Sequence, residues 1–147
     1  MEKKFSSIVC VDRTVSPLYP EWMCNLVYPE LELTGPTKYD LSSLKKARSF
    51  SMDNHGMDIF AYYQRHKDEL SNCLGVSDLH AIKEKDFNLF ERLFKFRAVI
   101  GWKSVFGNRT FNVTFLYSDG TKVLWGKRFL GDNLYHYCGV CDPAYIF

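Results

Sequence analysis

In its last third the chain has three runs of apolar positions, separated by short groups of turn residues. The runs, 98–106, 110–117 and 122–130, are rich in β-branched and aromatic side chains, as strands are. The dipeptides Gly107-Asn108 and Asp119-Gly120 separate them and are typical of two-residue hairpin loops, because these residues tolerate positive φ. The pattern therefore predicts a three-stranded antiparallel meander.

Two-residue loops would also fix how these strands pair. They place Phe115 opposite both Ile100 and Leu124, and Val113 opposite Trp102. Side chains alternate between the two faces of a sheet, so one face becomes apolar. We predict that this face lies under helices and carries Ala98, Ile100, Trp102, Phe111, Val113, Phe115, Tyr117 and Leu124. A slip of one residue in either loop would exchange the faces.

The second face of the predicted sheet is mixed. It carries Val99, Leu116, Val123, Trp125 and Phe129, together with a row formed by Lys103, Asn112 and Lys127. Cations and an amide among apolar side chains suit a nucleotide, a nucleic-acid single strand or an acidic peptide. We therefore predict Lys103, Asn112, Trp125 and Lys127 as binding residues. The alternative is an ordinary half-exposed sheet face on which lysine stems cover apolar surface.

Upstream of the meander, apolar residues recur at helical spacing. The spacing predicts a helix over 57–70 and a second helix over 78–84, which Ser77 would cap. A third helix is predicted to follow the capping residue Asp86 and to end near Phe94.

The rest of the chain adds short elements and gives the fold class. The run 5–11 predicts a strand at a sheet edge, 28–41 an ordered loop braced by prolines, and 42–48 a short basic helix. The predicted fold is α+β in a single domain, 1–147, with a predominantly antiparallel sheet of three to five strands packed on two or three helices.

Composition narrows the function classes. The 147 residues include 19 basic and 17 acidic side chains, so net charge gives no reason to expect non-specific binding to nucleic acid or to membranes. No apolar run approaches the length of about 20 residues that a membrane span needs. The five cysteines form an odd, irregular set that favours reduced thiols. We expect a cytoplasmic protein without a cofactor or membrane contact, whose oligomeric state the sequence leaves open.

Carboxylates and one histidine are candidates for acid–base chemistry. Glu30, Glu32 and Asp40 lie in the 28–41 loop, and His55 lies in a turn-forming cluster further along the chain. Such groups act as general acids and bases in enzymes. The alternative is that they are solvated loop residues or helix caps.

One cysteine pair has the spacing of a metal or redox motif. Cys138 and Cys141 are separated by two residues, and His136 precedes them. A zinc site needs a second half, which no other part of the sequence supplies as a motif. We therefore predict free or structural thiols and no metal site, with metal binding by these three residues left open.

Two stretches carry a resemblance to a known family. The loop PELELTGPTKYDL at 29–41 and the segment GWKSV at 101–105 resemble small, uncharacterised bacterial and phage-borne proteins. The resemblance covers most of the chain in order. It implies a grouping and no activity.

Two functions follow as hypotheses. The first is a small intracellular binding or regulatory module that contacts a protein or a nucleic acid through the second sheet face and the 28–41 loop. The second is a small enzyme acting on a nucleotide or nucleic acid, with Glu30, Glu32, Asp40 or His55 as acid–base groups. An enzyme should bring these groups together in a pocket, whereas a module should show them dispersed beside an exposed aromatic patch.

Overall fold

The fold is built around a three-stranded antiparallel sheet. The computed structural model describes residues 6–46, 56–95, 97–131 and 145–147. In strand order the central sheet contains β4 (Val99–Ile100), β5 (Asn112–Ser118) and β6 (Val123–Phe129). This confirms the predicted meander and, together with the helices, the α+β fold class.

Two smaller antiparallel pairs lie outside this sheet. The strand β1 (Ile8–Cys10) pairs with β2 (Lys38–Asp40), and β3 (Lys45–Lys46) pairs with β7 (Tyr145–Ile146). The strand predicted over 5–11 is therefore present, with a partner inside the 28–41 loop. The basic helix predicted for 42–48 is wrong, because a 3-10 helix (Leu41–Ser43) leads directly into β3.

Four α-helices lie between β3 and β4 in the part of the chain that the structure describes. They are α1 (Gly56–Arg65), α2 (Lys67–Ser71), α3 (Val76–Lys83) and α4 (Phe87–Phe94). The single helix predicted over 57–70 is interrupted at His66, which has the non-helical values φ −129° and ψ 63°. The predicted cap of α4 is confirmed, since the Asp86 carboxylate accepts a hydrogen bond from the Asn88 backbone N–H at 2.8 Å.

The first predicted strand, 98–106, is mostly not a strand. Ile100 pairs with Phe115 as predicted, but β4 ends there and a 3-10 helix (Trp102–Ser104) follows. The backbone N–H of Lys103 donates to the Leu74 carbonyl oxygen at 3.1 Å, which draws the chain away from β5. The predicted pairing of Trp102 with Val113 is therefore wrong.

The second hairpin loop is longer than predicted. Ser118 pairs with Val123, so Phe115 lies opposite Gly126 and not Leu124. The Asp119 carboxylate accepts hydrogen bonds from the Thr121 backbone N–H at 2.8 Å and from the following N–H at 2.9 Å, which stabilises a four-residue loop. Because the shift is two residues, every side chain of β6 stays on its predicted face.

Helices cover both faces of the sheet. On the first face, residues of α1 and α2 pack with sheet residues as predicted: Ile59, Phe60, Tyr63 and Leu70 with Ile100, Val113 and Phe115. On the second face, residues of α3 and α4 do the same: Leu79, Ile82, Leu89, Phe90 and Phe94 with Val99, Leu116 and Val123. Helices were predicted against the first face alone, so this part of the prediction is wrong. The exposed part of the second face lies on β6, where Lys127 and Phe129 reach the surface.

Candidate binding surface

Lys103 lies inside the protein. It is 1% exposed, and its Nζ donates a hydrogen bond to the Thr34 carbonyl oxygen at 2.9 Å. The same Nζ lies 5.5 Å from the centroid of the Phe147 ring. Burial lowers the pKa of the Lys103 ammonium group. Its predicted position on an exposed sheet face is wrong, because the strand in which it was placed ends at Ile100.

The other three predicted binding residues lie on β5 and β6 near the surface. Lys127 is exposed, and Asn112 and Trp125 are half-buried. The Nζ of Lys127 lies 5.6 Å from the centroid of a Trp22 ring, and the Trp125 ring lies 4.9 Å from the His80 ring, centroid to centroid. The structure thus brings Lys127 and Trp125 together with Trp22 and His80, which were not predicted as binding residues.

The candidate acid–base residues have separate surroundings. Glu30 is exposed in a 3-10 helix (Pro29–Leu33), and Glu32 in the same helix is 1% exposed. The Asp40 carboxylate accepts a hydrogen bond from the Ser42 backbone N–H at 2.9 Å and so caps the next turn. His55 lies outside the described residues, as do His136, Cys138 and Cys141.

Glu32 lies at the amino end of α3. Its carboxylate accepts hydrogen bonds from the backbone N–H groups of Val76 and Ser77, each at 3.3 Å, and from the Ser77 hydroxyl at 3.2 Å. The Ser104 hydroxyl also donates to this carboxylate. A negative charge is favoured at this end of a helix, where backbone N–H groups lack partners within the helix. Glu32 therefore stabilises the start of α3.

Asp78, which lies within α3 itself, is a second buried carboxylate. The Arg13 guanidinium donates to both of its oxygens, at 2.9 and 3.3 Å. The Tyr39 hydroxyl and the Gly75 backbone N–H also donate to Asp78, at 2.6 and 2.9 Å. Arg13 donates further to the Pro36 carbonyl oxygen at 2.9 Å. These bonds join the 28–41 loop and the N-terminal segment to α3.

The buried charges balance one another. Two carboxylates and two cations are each less than 10% exposed: Glu32, Asp78, Arg13 and Lys103. Each of the four makes hydrogen bonds to described residues. Buried charges persist in proteins when they are paired and hydrogen-bonded in this way. We interpret the cluster as structural, since its polar groups already have partners within the chain.

The segment 18–22, which follows Pro17 and contains Pro20, lies beside β6 and carries exposed apolar side chains. Leu18 is 88% exposed and Trp22 38%. The Leu18 carbonyl oxygen lies 2.8 Å from Nε2 of His80, and the Trp22 ring lies 5.8 Å from the Phe106 ring, centroid to centroid. Backbone and ring contacts thus hold the segment in place, while the side chains of Leu18 and Trp22 remain exposed.

We define the contact surface as Leu18, Trp22, Trp125, Lys127 and Phe129. Phe129 is 43% exposed and lies two residues after Lys127, on the same side of β6. The stretch 121–131 contains Lys122, Lys127 and Arg128 and has no acidic residue. The surface is therefore apolar and aromatic with a positive charge at its centre. Sequence reasoning missed Leu18 and Trp22, although apolar residues without helical or strand period beside Pro17 and Pro20 were their visible signal.

A different surface depression lies between α1 and α2. It is lined by Tyr62, Gln64, Arg65, His66, Lys67, Asp68 and Glu69, and contains none of the predicted binding or catalytic residues. Among the described residues, no group of three or more histidine, cysteine, aspartate or glutamate side chains is arranged to hold a metal ion. None of the described helices is long and apolar enough to cross a bilayer.

Comparisons of the chain with family models, with curated proteins and with solved structures found no match. The resemblance to small bacterial and phage-borne proteins therefore stays a prediction.

Proposed function

We propose that this chain is a protein-binding module and that the contact surface is where its partner binds. The observation that carries the proposal is that exposed Trp22 lies beside Lys127, on the side of β6 that also carries exposed Phe129. Exposed Leu18 is linked to the same side through His80, which contacts Trp125. Large apolar side chains that are exposed together mark interaction sites more often than isolated ones do. Tryptophan is also enriched among the residues that contribute most to binding free energy.

A protein partner fits this surface better than a nucleic acid. Binding to nucleic acid depends on several cations that contact phosphates. On the contact surface Lys127 is the central cation, and the net charge of the chain is only +2. Leu18 is aliphatic and offers no ring on which a base can stack. The candidate carboxylates do not support the enzyme hypothesis. The buried carboxylate, Glu32, already accepts hydrogen bonds from Val76 and Ser77.

The proposal is tested by measuring how truncation of Trp22 affects binding. Proteins captured by the chain from an extract of cells that produce it are identified by mass spectrometry, and the purified candidate is titrated by calorimetry. The substitution Trp22→Ala should raise Kd at least about tenfold, because a buried aromatic anchor contributes about 2 kcal/mol or more. The control Tyr117→Ala removes a side chain that is 36% exposed on the opposite face, and it should leave Kd unchanged.

Two results would contradict the proposal. One is equal Kd values for the wild type and Trp22→Ala, with loss of binding on Tyr117→Ala. The other is salt-sensitive binding of a single-stranded oligonucleotide that competes with the captured protein, which would make the partner a nucleic acid.

A further inference from the structure

The strand β6 forms one edge of the central sheet. The strand order is β4-β5-β6, so β5 lies between the other two and β6 has one neighbour among the described strands. An edge strand presents backbone N–H and C=O groups with which another strand can pair. The hydrogen bonds of β5 determine which way these groups point along β6.

In β5 the even-numbered residues bond away from β6. The backbone N–H of Gly101 donates to the Thr114 carbonyl oxygen at 2.9 Å, on the β4 side. On the other side, the N–H of Leu130 donates to the Phe111 carbonyl oxygen at 2.8 Å. Both backbone groups of a strand residue point the same way, and the direction alternates along the strand. Odd residues of β5 therefore bond to even residues of β6.

The odd residues of β6 consequently direct their backbone groups outward. They include Trp125, Lys127 and Phe129, which pair with even residues of β5. No backbone hydrogen bond from another described segment reaches any of the three. Their N–H and C=O groups thus form a row of alternating donors and acceptors along the edge, directly beside the contact surface.

The charge along this edge identifies the kind of strand that fits it. Lys127 and Arg128 are adjacent in β6, and Lys122 precedes the strand. Opposite charges on paired strands stabilise a sheet, whereas like charges destabilise it. Antiparallel pairing of β6 with the same strand of a second copy would place these cations close together. An acidic segment has the complementary charge.

We infer that β6 binds an acidic, extended segment of the partner as an added strand. This inference rests on the proposed function and specifies how the contact surface binds. The segment pairs with the outward backbone groups of Trp125, Lys127 and Phe129. Acidic side chains of the segment lie near Lys127, and its apolar side chains contact Trp22 and Phe129. Strand addition of this type derives affinity from backbone hydrogen bonds and specificity from alternate side chains.

Backbone methylation of a peptide tests the inference. The probes are fluorescein-labelled peptides of about eight residues, the length of one strand. On each face of such a peptide, which every second residue shares, glutamate alternates with valine, leucine or phenylalanine, so that one face offers both acidic and apolar side chains. Each peptide is made unmodified and in two N-methylated versions, one for each alternate set of residues. Binding to the full chain is followed by fluorescence anisotropy. An added strand uses the amides of only one set, so one version should lose affinity at least about tenfold while the other retains it.

Side-chain variants provide the matched comparison. The substitution Lys127→Glu, at an exposed position, should weaken peptide binding at least about tenfold, because it places like charges together. Tyr117→Ala should leave binding unchanged, and circular dichroism checks that both variants fold.

Two results would overturn the inference. Failure of every alternating peptide to bind excludes an acidic strand at this edge. Equal binding of both N-methylated versions excludes strand pairing. Either result leaves the proposed function standing if the captured protein still depends on Trp22, so the two failures are distinguishable.

Discussion

Glu32 shows how a charged residue is accommodated inside this fold. Burial raises the pKa of its carboxyl group, while hydrogen bonds from Ser77 and Val76 and the charge of Lys103 oppose that shift. The carboxylate therefore stabilises the start of α3 and also carries a desolvation cost. These two effects respond differently to pH.

The pH dependence of stability gives a test at the level of this residue. A carboxyl group whose pKa is higher in the folded than in the unfolded protein binds more protons when folded. Between its ordinary pKa and the raised one, it lowers the free energy of unfolding as pH rises. Urea unfolding at several pH values should therefore show the wild type losing stability relative to Glu32→Gln as pH rises through that range.

The exposed residue Glu30 supplies the control for this experiment. Glu30→Gln changes an exposed side chain of the same 3-10 helix and should alter the free energy of unfolding at neutral pH by less than about 0.5 kcal/mol. A wild type that gains stability relative to Glu32→Gln as pH rises would show that hydrogen bonds and Lys103 outweigh the effect of burial.

Among the elements, α3 is the one that organises the polar interior. Its amino end receives Glu32, and its first turn carries Asp78, which binds Arg13 and Tyr39. The helix also packs on the second face of the sheet through Leu79. The buried ions thus fix α3 relative to the N-terminal segment and the 28–41 loop.

Removal of Arg13 tests this role of the ion pair. The pair Arg13–Asp78 is 2.9 Å apart, with side chains 5% and 0% exposed. Arg13→Met leaves the Asp78 carboxylate buried without its cation, which should lower the free energy of unfolding by about 3–5 kcal/mol. The exposed Arg109→Met should change it by less than about 0.5 kcal/mol. A loss below about 1 kcal/mol for Arg13→Met in urea unfolding would show that the pair does not hold α3 in place.

Local patterns predicted the elements that have their own periodicity or caps. The helix after Asp86 and the core-facing residues of β5, such as Val113, follow from spacing within one element. The second face was misjudged because α3 and α4 reach it through long-range packing. Apolar Val99 and Leu116 there were a signal, since strands buried on both faces are apolar on both. The burial of Lys103 depends on a backbone turn toward Leu74 that no local pattern shows.

At the scale of the whole molecule, helices cover both faces of the central sheet, and β6 has a strand neighbour on one side only among the described residues. Helices α1 and α2 cover the first face, and α3 and α4 cover the second. The β6 edge and the 18–22 segment then provide apolar and cationic surface on the same side. Binding of an added strand at this edge therefore depends most on the outward direction of the Trp125, Lys127 and Phe129 backbone groups.

Residue-resolved amide hydrogen exchange in the free protein, followed by NMR, measures this direction. The amides of Gly126 and Arg128 donate to β5 and should exchange slowly. Those of Trp125 and Lys127 point outward and should exchange at least about a hundredfold faster. An alternating pattern of this kind is the predicted result. Trp125 and Lys127 amides as well protected as those of Gly126 and Arg128 would contradict the account, because the edge would already be paired.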